Sequence, residues 1–281
     1  MIKNLNLKQP LKIFLHKVFL LIIDLLPSQL SCNFNNLRQK IMKRNIFFFY
    51  DNKKKLFKVK DKEKEIFFPT KLRGMQTYCY GIKKRAIALG NNYSLDLIDF
   101  KKNDIIIDCG ANFGDIYNWF YYKQLKINYI SFEPAPDEFR CIELNCKGKE
   151  NYNMALSNKN SYLKFYLKSD TGDSSLIRPA NGYSKTIEVK TLTLNKFFTD
   201  RNFKDVKLLK VEAEGYEPEI LQGSLKILKH VKYIAVDGTP ERGIHNDSTI
   251  DFAIDFLKSN NFELISLKSN NYVGLFKNKN Y

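Results

Sequence analysis

From residue 104 onward, short apolar runs alternate with longer amphipathic segments. The runs are rich in Ile, Val, Phe and Tyr, which favours strands, and the segments between them have helical spacing. We predict strands over 104–108, 128–133, 151–156, 207–212, 231–237, 262–267 and 272–276. We predict helices over 114–124, 136–146, 217–229 and 248–259. This order predicts an α/β fold with a seven-stranded, mostly parallel sheet, whose last strand is antiparallel because a short KSNN turn precedes it.

The pattern before residue 104 is different. Residues 12–26 carry their charged side chains on one arc, which predicts an amphipathic helix ending at Pro27. Residues 43–68 place apolar runs on both sides of a DNKKK turn and predict a small β element, and residues 72–100 predict one or two helices. We therefore divide the chain into an N-terminal appendage, residues 1–70, and an α/β domain, residues 71–281.

Two inserted segments belong to the α/β domain. Residues 161–166 and 186–194 alternate apolar and polar positions and predict a side hairpin. The polar, glycine-containing loop 170–183 between them is a candidate lid for an acceptor molecule.

The first core strand runs into a glycine turn, in the segment IIIDCGANFGD (105–115). Gly110 allows the backbone to turn sharply and to approach a ligand closely. The amides of 112–114 open the next helix, where they can receive an anionic group. In a parallel sheet the carboxyl ends of neighbouring strands meet in one crevice, so we expect a ligand site at this turn.

Two acids complete the predicted site. Asp108 can meet an ammonium, and Glu133, at the end of the second strand, can accept both hydroxyls of a ribose. A carboxylate, an amine and a ribose together describe S-adenosylmethionine. A dinucleotide site also needs a glycine turn and a ribose-binding acid, but the middle glycine of G-x-G-x-x-G is Asn112 here. A strand, turn and helix that bind no ligand are the remaining alternative.

Four segments resemble those of the FkbM-like methyltransferases in order and spacing. They are IIIDCGANFGD (105–115), SFEPAPDEF (131–139), NMALSNKNSYLKFY (153–166) and LLKVEAEGYEPEILQGS (208–224). The resemblance implies the Rossmann-like class I methyltransferase fold, S-adenosylmethionine as methyl donor, and transfer to a hydroxyl of a sugar, glycan or natural product. The predicted antiparallel closing hairpin agrees, since it is typical of methyltransferases and not of dinucleotide folds.

The residues expected to contact the donor lie at the ends of the first four core strands. Ala155 ends the third strand, where an adenine needs only backbone and small side chains. The full set comprises Asp108, Gly110, Ala111, Asn112, Gly114, Glu133, Pro134, Ala155 and Glu212.

The candidate catalytic residues are acids at the ends of the fourth and fifth strands. Glu212 and Glu214 alternate along KVEAEG and point to one side, where they can shape the field around a sulfonium or take a proton from an acceptor hydroxyl. Asp237 is a third candidate base, although a strand-end acid can also be merely solvated. In the resembling family the motif reads Asp-x-Glu-Gly, so Glu212 replaces an aspartate with a side chain that is one methylene longer. The proposed reaction is an in-line displacement that requires no metal, and no Cys/His cluster suggests one.

The net charge of +16 is concentrated near the N-terminus. Residues 1–60 contain 13 Lys or Arg and two acids, a net +11, so the remaining 221 residues carry only +5. This imbalance indicates an anionic surface beside the appendage, such as a membrane leaflet, an anionic glycan or nucleic acid, although a solvated basic arm explains it equally well.

The predicted helix over 12–26 has three interpretations. It packs on the α/β domain, packs on a second copy of the chain in a homo-oligomer, or lies in a membrane interface with help from its lysines. It is too short and too often charged to span a bilayer. The five cysteines form no Cys-x-x-Cys pair and suit a reducing compartment, so we expect a cytoplasmic protein, peripheral on the inner membrane face if the helix binds lipid.

Three functions remain open. The first is an O-methyltransferase that acts on a small molecule or glycan. The second is an RNA or DNA methyltransferase. The basic arm favours this function, but residues 104–276 contain no Asn-Pro-Pro-Tyr-like catalytic motif. The third is a membrane-associated module that binds S-adenosylmethionine without turnover. Its only support is that Glu212 stands where the resembling family has an aspartate.

Overall fold

The computed structural model describes residues 9–168, 170–201, 203 and 205–281, without the side chains of residues 9–16 and 271. The chain forms two compact units, residues 1–82 and 83–281. The sequence pattern placed this boundary at 70/71, ahead of a helix that belongs to the first unit.

The first unit combines helices with a small antiparallel sheet. Its elements are α1 (Gln9–Leu25), α2 (Ser28–Ile41), β1 (Phe47–Asp51), β2 (Leu56–Lys60), β3 (Glu65–Phe68) and α3 (Lys71–Thr77), with strand order β1-β2-β3. Among the helices that the structure describes, none has both the length and the apolar character needed to cross a bilayer.

Helix α2 has no counterpart among the predicted elements. Its buried side chains are mostly polar, namely Ser31, Cys32, Asn35 and Gln39. The hydroxyl of Ser31 donates to the carbonyl oxygen of Ile23 at 3.0 Å. An apolar stripe is the signal that reveals a helix in a sequence, and this helix buries hydrogen-bonding groups instead.

The second unit contains the remaining elements in alternating order. They are α4 (Ile82–Asn92), β4 (Ile105–Cys109), α5 (Asp115–Tyr122), β5 (Asn128–Phe132), α6 (Pro136–Asn145), β6 (Glu150–Tyr152), β7 (Ala155–Leu156), β8 (Ser161–Leu167), β9 (Lys185–Leu192), α7 (Leu194–Arg201), β10 (Val206–Val211), α8 (Glu217–Gln222), β11 (Val231–Asp237), α9 (Ile250–Ser259), β12 (Phe262–Lys268) and β13 (Val273–Asn278).

Seven strands form the central sheet in the order β12-β13-β11-β10-β4-β5-β6. The pairs from β11 to β6 are parallel, whereas β13 is antiparallel to both β11 and β12. This is the predicted Rossmann-like class I methyltransferase fold, including its antiparallel last strand, and the prediction is confirmed. The central strands β4 and β10 are almost entirely buried on both faces, which keeps their carboxyl ends fixed.

Two predicted elements are divided in the structure. The strand expected over 151–156 ends at Tyr152, and Ala155–Leu156 pairs instead with β9 in a separate sheet of order β7-β9-β8. The helix expected over 217–229 ends at Gln222, and a 3-10 helix follows over Leu225–His230. A side chain at Gly223 would overlap the backbone of Ser157, so this glycine marks a close chain approach that interrupts the helix.

Candidate active site

A crevice that is partly open to solvent lies at the carboxyl ends of β4, β5 and β10. Seven of the predicted site residues line it: Gly110, Asn112, Glu133, Pro134, Ala155, Glu212 and Glu214. The fold therefore brings the ends of β4, β5 and β10 together, as the strand order requires, and β7 reaches the crevice from the separate sheet.

The turn after β4 is held by the two neighbouring strands. Gly110 has φ +69°, and a Cβ at this position would overlap the carbonyl oxygen of Glu212. The amides of Gly110 and Ala111 both donate to the carbonyl oxygen of Phe132, at 3.0 and 3.1 Å. Glycine is required here both for the left-handed backbone and for the close approach of β10.

The carboxylate of Glu133 is oriented by two backbone amides. Asn112 donates to its Oε2 at 2.9 Å, and Ala135 donates to its Oε1 at 2.8 Å. The amide of Asn112, expected to receive an anionic ligand, thus receives a carboxylate of the chain itself. Each carboxylate oxygen can accept more than one hydrogen bond, so the orientation suits recognition of adjacent hydroxyls.

Asp108 lies beneath the crevice and does not line it. It is 1% exposed, the Tyr129 hydroxyl donates to its Oδ2 at 2.5 Å, and Lys210 Nζ lies 3.0 Å from its Oδ1. The ammonium that it meets therefore belongs to the chain, because the parallel register sets Asp108 beside Lys210. The sequence pattern missed this pairing, since neither residue's neighbours reveal that both point to the same buried face.

Lys210 also connects Asp108 to Glu212. Its Nζ lies 2.7 Å from Glu212 Oε2, which also accepts a 2.7 Å hydrogen bond from the Tyr93 hydroxyl. Burial alone would lower the pKa of Lys210, but the carboxylates of Asp108 and Glu212 raise it above its usual value. Burial alone would raise the pKa of Glu212, but Lys210 and the Tyr93 hydrogen bond lower it. The extra methylene of Glu212 thus ends in a fixed, ionised carboxylate.

Glu214 has a different environment from Glu212, although both line the crevice. Its backbone is left-handed, with φ +52°, and its carbonyl oxygen accepts a 2.9 Å hydrogen bond from the Ser175 hydroxyl. Its Oε2 is buried without a hydrogen-bond partner. Burial, reinforced by Glu241, raises the pKa of Glu214 well above its usual value.

Asp237 ends β11 beside these acids but does not line the crevice. Its Oδ1 accepts hydrogen bonds from the amide and hydroxyl of Thr239, at 3.1 and 2.5 Å. Burial and the nearby charge of Glu212 raise the pKa of Asp237 to about 6. This acid is therefore mostly ionised at neutral pH and still basic enough to accept a proton.

Two other predicted donor contacts also lie outside the crevice lining. Ala111 is buried behind the turn, and Gly114 begins α5 with φ +79° next to Cys146, where a Cβ would overlap the thiol. Their role in the structure is to shape the turn, since the 2.8 Å hydrogen bond from the Gly114 amide to the Ala111 carbonyl closes it.

The sequence pattern missed several crevice residues. Gly172, Ser174 and Leu176 reach the crevice from the loop that was predicted as a lid, and Phe165 reaches it from β8. The polar loop between two hairpin strands was the only signal for them. No sequence pattern marked Glu241 as a site residue, because its interaction with Glu214 is between two loops that are distant in the sequence.

The residues present fit S-adenosylmethionine. An oriented acid stands at the end of β5, Asn112 Oδ1 is buried in the crevice wall without a hydrogen-bond partner, and the wall at Gly110 has no side chain. With the strand order and the antiparallel last strand, these features define a class I methyltransferase that uses S-adenosylmethionine as its methyl donor.

Comparison with known proteins gives the family. The methyltransferase FkbM domain matches residues 108–264, more than half of the chain, and the protein belongs to this family. The resemblance noted in the sequence is thereby confirmed.

Two relatives carry names that describe their reactions. The chain is 22% identical over 211 residues to the 2-O-methyltransferase NoeI of Sinorhizobium fredii, covering 68% of this chain and 86% of that protein. It is 27% identical over 149 residues to the hexuronic acid methyltransferase AglP of Haloferax volcanii, covering 50% of this chain and 58% of that protein. The match therefore spans little more than half of the second relative.

Solved methyltransferase structures resemble the chain more distantly. The precorrin-6y C5,15-methyltransferase of Geobacter metallireducens aligns with a TM-score of 0.38 and 11% identity, over 66% of this chain and 84% of that chain. The assignment of the fold therefore depends on the strand order of the protein itself.

Proposed function

We propose that this methyltransferase transfers the methyl group of S-adenosylmethionine to a hydroxyl of a sugar or glycan. The observation that carries the proposal is a single crevice lined both by an oriented acid, Glu133, and by Glu212 and Glu214. Carboxylate oxygens accept hydrogen bonds from hydroxyls, and a sugar presents several hydroxyls at once. The names of the two relatives, a 2-O-methyltransferase and a hexuronic acid methyltransferase, support this acceptor class.

The donor side is proposed to use the ends of β4, β5 and β7. Glu133, already aligned by two amides, holds the ribose hydroxyls, and Asn112 and Gly110 receive the methionine end. Ala155, small and next to the apolar Leu156, leaves room for the adenine. The donor supplies an electrophilic methyl group on a sulfonium. Asp108 is proposed to act indirectly, because it holds Lys210 and therefore Glu212 in place.

Removal of the acceptor proton is proposed to fall to Asp237. Of the three candidate bases, Glu212 forms an ion pair with Lys210, and burial raises the pKa of Glu214 well above its usual value. The pKa of Asp237, about 6, is close to the pH at which a base is both ionised and effective. We expect Asp237→Asn to lower methyl transfer by about 10²–10⁴-fold while donor binding is kept.

Calorimetry and labelling test the donor and the acceptor separately. S-adenosylmethionine and its demethylated product should both bind, and Glu133→Ala should abolish the binding because the ribose loses its acceptor. Methyl-labelled donor is then incubated with the protein and with separate glycan, lipid-linked sugar and RNA fractions of cells. Label recovered in O-methyl sugars supports the proposal, whereas label in nucleotides, or binding without transfer to any sugar, overturns the acceptor class.

We also propose that the first unit contacts the inner face of a membrane. Large apolar side chains of α1 and α2, and of the residue that follows α2, are exposed, namely Leu21, Leu25, Leu37, Ile41 and Met42. The same two helices carry exposed Lys17 and Lys40, within the segment that holds most of the positive charge. Exposed apolar side chains beside lysines are what an anionic lipid surface binds.

A further inference from the structure

The small sheet of the first unit presents rings and lysines on one of its two faces. Residues that pair directly across an antiparallel sheet point to the same face. The registers of β1, β2 and β3 place five such residues together, namely Phe47, Phe49, Lys58, Lys60 and Phe67. We call this surface the aromatic–lysine face.

The opposite face of the same sheet belongs to the core of the first unit. Phe48, Val59 and Ile66 point to that side and are completely buried. The side chain of Asn36, in α2, accepts from the Phe48 amide at 2.7 Å and donates to the Phe48 carbonyl oxygen at 2.8 Å. A strand from another chain cannot add to β1 at this residue, because both of its backbone groups are occupied. At β1 a partner therefore has to approach the aromatic–lysine face and not the strand edge.

The rings and the ammonium groups of this face are close enough to contact one ligand. Phe47 and Phe49 are 48% and 41% exposed, although phenylalanine is usually buried. The register sets Lys58 between Phe49 and Phe67, and its Nζ lies 5.8 and 5.5 Å from the centres of the two rings. Lys54, in the hairpin turn, has its Nζ 5.9 Å from the Phe67 ring. A molecule that packs on these rings thus meets positive charge at the same time.

The acids beside these lysines leave the sheet positively charged. Glu65 Oε2 lies 3.1 Å from Lys58 Nζ, and Asp51 Oδ2 lies 3.4 Å from Lys54 Nζ. Both ion pairs reach solvent, where such pairs contribute little, so an incoming anion can compete for the ammonium groups. Residues 47–68 contain seven lysines and four acids, a net +3.

Exposed rings among ammonium groups suit an acidic glycan. A sugar ring presents polarised C–H groups on its faces, and these pack on the electron-rich face of an aromatic ring. Carboxylate, sulfate or phosphate groups on the same chain can form charged hydrogen bonds with the lysines.

Lipid and nucleic acid match this face less well. Insertion of the rings into a bilayer would also remove the ammonium of Lys58 from water, which is unfavourable. Recognition of phosphates and bases favours arginine, which pairs with phosphate in two places and stacks on rings, and residues 45–72 contain no arginine.

We propose that the aromatic–lysine face binds an acidic polysaccharide chain, with sugar rings on Phe47 and Phe49 and anionic groups at Lys58 and Lys60. None of the five residues of this face lines the crevice, so it is a second binding surface. For an acceptor sugar within such a chain, a use that rests on the proposed methyl transfer to sugars, the face keeps the polymer bound between transfers. Binding itself does not require methyl transfer, and the two are measured separately.

Calorimetric titration of the full chain with polygalacturonate, dextran sulfate and neutral dextran tests the ligand class. The acidic polymers should bind, neutral dextran should not, and the affinity should fall as salt is raised, because exposed charges are screened. Poly(U) should bind more weakly than the acidic polysaccharide that binds best. No binding of either acidic polymer, equal binding of neutral dextran, or tighter binding of poly(U) would each overturn the proposal.

The double variant Phe49→Ser/Lys58→Gln removes a ring and a charge from the centre of the face. It should weaken binding by about tenfold or more, since a ring contact and a charge contact are lost together. Tyr162→Ser/Lys190→Gln is the matched control, because this exposed aromatic residue pairs with an exposed lysine across β8 and β9 of the second unit. Both double variants lose one positive charge, so nonspecific attraction of polyanions falls equally in the two. Equal losses of affinity would therefore overturn the proposal.

Single variants separate the two contributions. Lys58→Gln should reduce the salt dependence of binding, whereas Phe49→Ser should weaken binding and keep that dependence. Phe49→Tyr retains a ring and should bind like the wild-type protein, which distinguishes loss of the contact from loss of the fold. A Phe49→Ser/Lys58→Gln protein that binds acidic polysaccharide normally but no longer floats with anionic vesicles would assign the face to lipid and overturn the proposal.

Discussion

At the scale of single residues, the site depends on a buried lysine that no local motif identifies. Lys210 is 3% exposed and connects the buried Asp108, between β4 and β10, to Glu212 in the crevice wall. Tyr129 and Tyr93 complete the network by donating to the two carboxylates. A buried network of this kind is sensitive to the loss of one member, because the remaining charges have no water to replace it.

Lys210→Met should lower the free energy of unfolding by about 3–5 kcal/mol, since it leaves the buried carboxylate of Asp108 without its cation. Urea unfolding followed by circular dichroism measures the change. Lys190→Met, at an exposed position of β9, is the control and should change stability by less than about 0.5 kcal/mol. Similar stability of the two variants would show that Lys210 does not hold the network together.

Gly110 and Gly148 distinguish two structural reasons for a glycine, a left-handed backbone and a close approach of another strand. Both have positive φ, +69° and +78°, but a Cβ at Gly110 would overlap the Glu212 carbonyl, whereas at Gly148 it would meet nothing within 4 Å. Gly148→Ala should cost about 1–2 kcal/mol of stability from backbone strain alone. Gly110→Ala should cost at least about 3 kcal/mol and should also weaken donor binding, because β10 has to move. Equal losses in the two variants, with donor affinity kept, would contradict the close approach.

At the scale of elements, the loop between β10 and α8 is organised by its own acid. Glu217 Oε1 accepts the amides of Ala213 and Gly215, at 2.7 and 3.3 Å, and Oε2 accepts the Thr249 hydroxyl at 2.7 Å. The sequence pattern presented Glu217 only as an acid at a helix start. Its side chain, 1% exposed at the start of α8, instead holds this loop in place beside the crevice.

Stability should fall as the pH rises from about 5 to 8. Burial raises the pKa of Glu217 to about 7 from 4.5, so the folded state holds this proton more tightly than the unfolded chain does. Its stabilising effect is complete below the unfolded pKa and is lost as the pH passes the folded pKa, a change on the order of 2–3 kcal/mol. Asp237, whose pKa is raised to about 6, acts in the same direction.

Urea titrations at several pH values measure this slope. Glu217→Gln should reduce it, because the amide cannot ionise, and Glu188→Gln, which changes an exposed acid on β9, should leave it unchanged. A slope of opposite sign, or one that Glu217→Gln leaves intact, would contradict the buried, protonatable state of Glu217.

At the scale of the whole molecule, most of the net positive charge lies in the first unit, whereas the candidate active site lies in the second. The first 60 residues carry +11 of the net +16, whereas the described crevice lies entirely in residues 83–281. The basic region is therefore not part of the acid-rich crevice. Its proposed role is to hold the enzyme at an anionic surface.

Vesicle flotation tests that role. The protein should float with vesicles containing anionic lipid and less so with neutral ones, and binding should weaken as salt is raised. The double variant Leu21→Ser/Leu25→Ser removes exposed apolar contacts and should reduce flotation, whereas Leu97→Ser, at an exposed apolar position of the second unit, should not. Wild-type protein that does not float, but changes its oligomeric state with the double variant, would assign the helix to a second copy of the chain.

Much of the fold followed from the order of residues. The core strands of the central sheet, its antiparallel last strand and the side hairpin were predicted because each has a clear period or a strong turn signal. Helix α2 and the division between β6 and β7 were not, because they depend on buried polar contacts and on pairing with a remote strand.

The sequence by itself determined the class of enzyme and the edge of the sheet where its site lies, because a parallel sheet brings strand ends to one crevice and the glycine turn is local. Only the tertiary structure decided what the acids there do. Asp108 meets Lys210 through strand register, and Arg242 joins the loop that carries Glu214 to the loop that carries Glu241. Such pairings depend on distances between segments far apart in the chain, and burial then shifts the pKa of each carboxyl group.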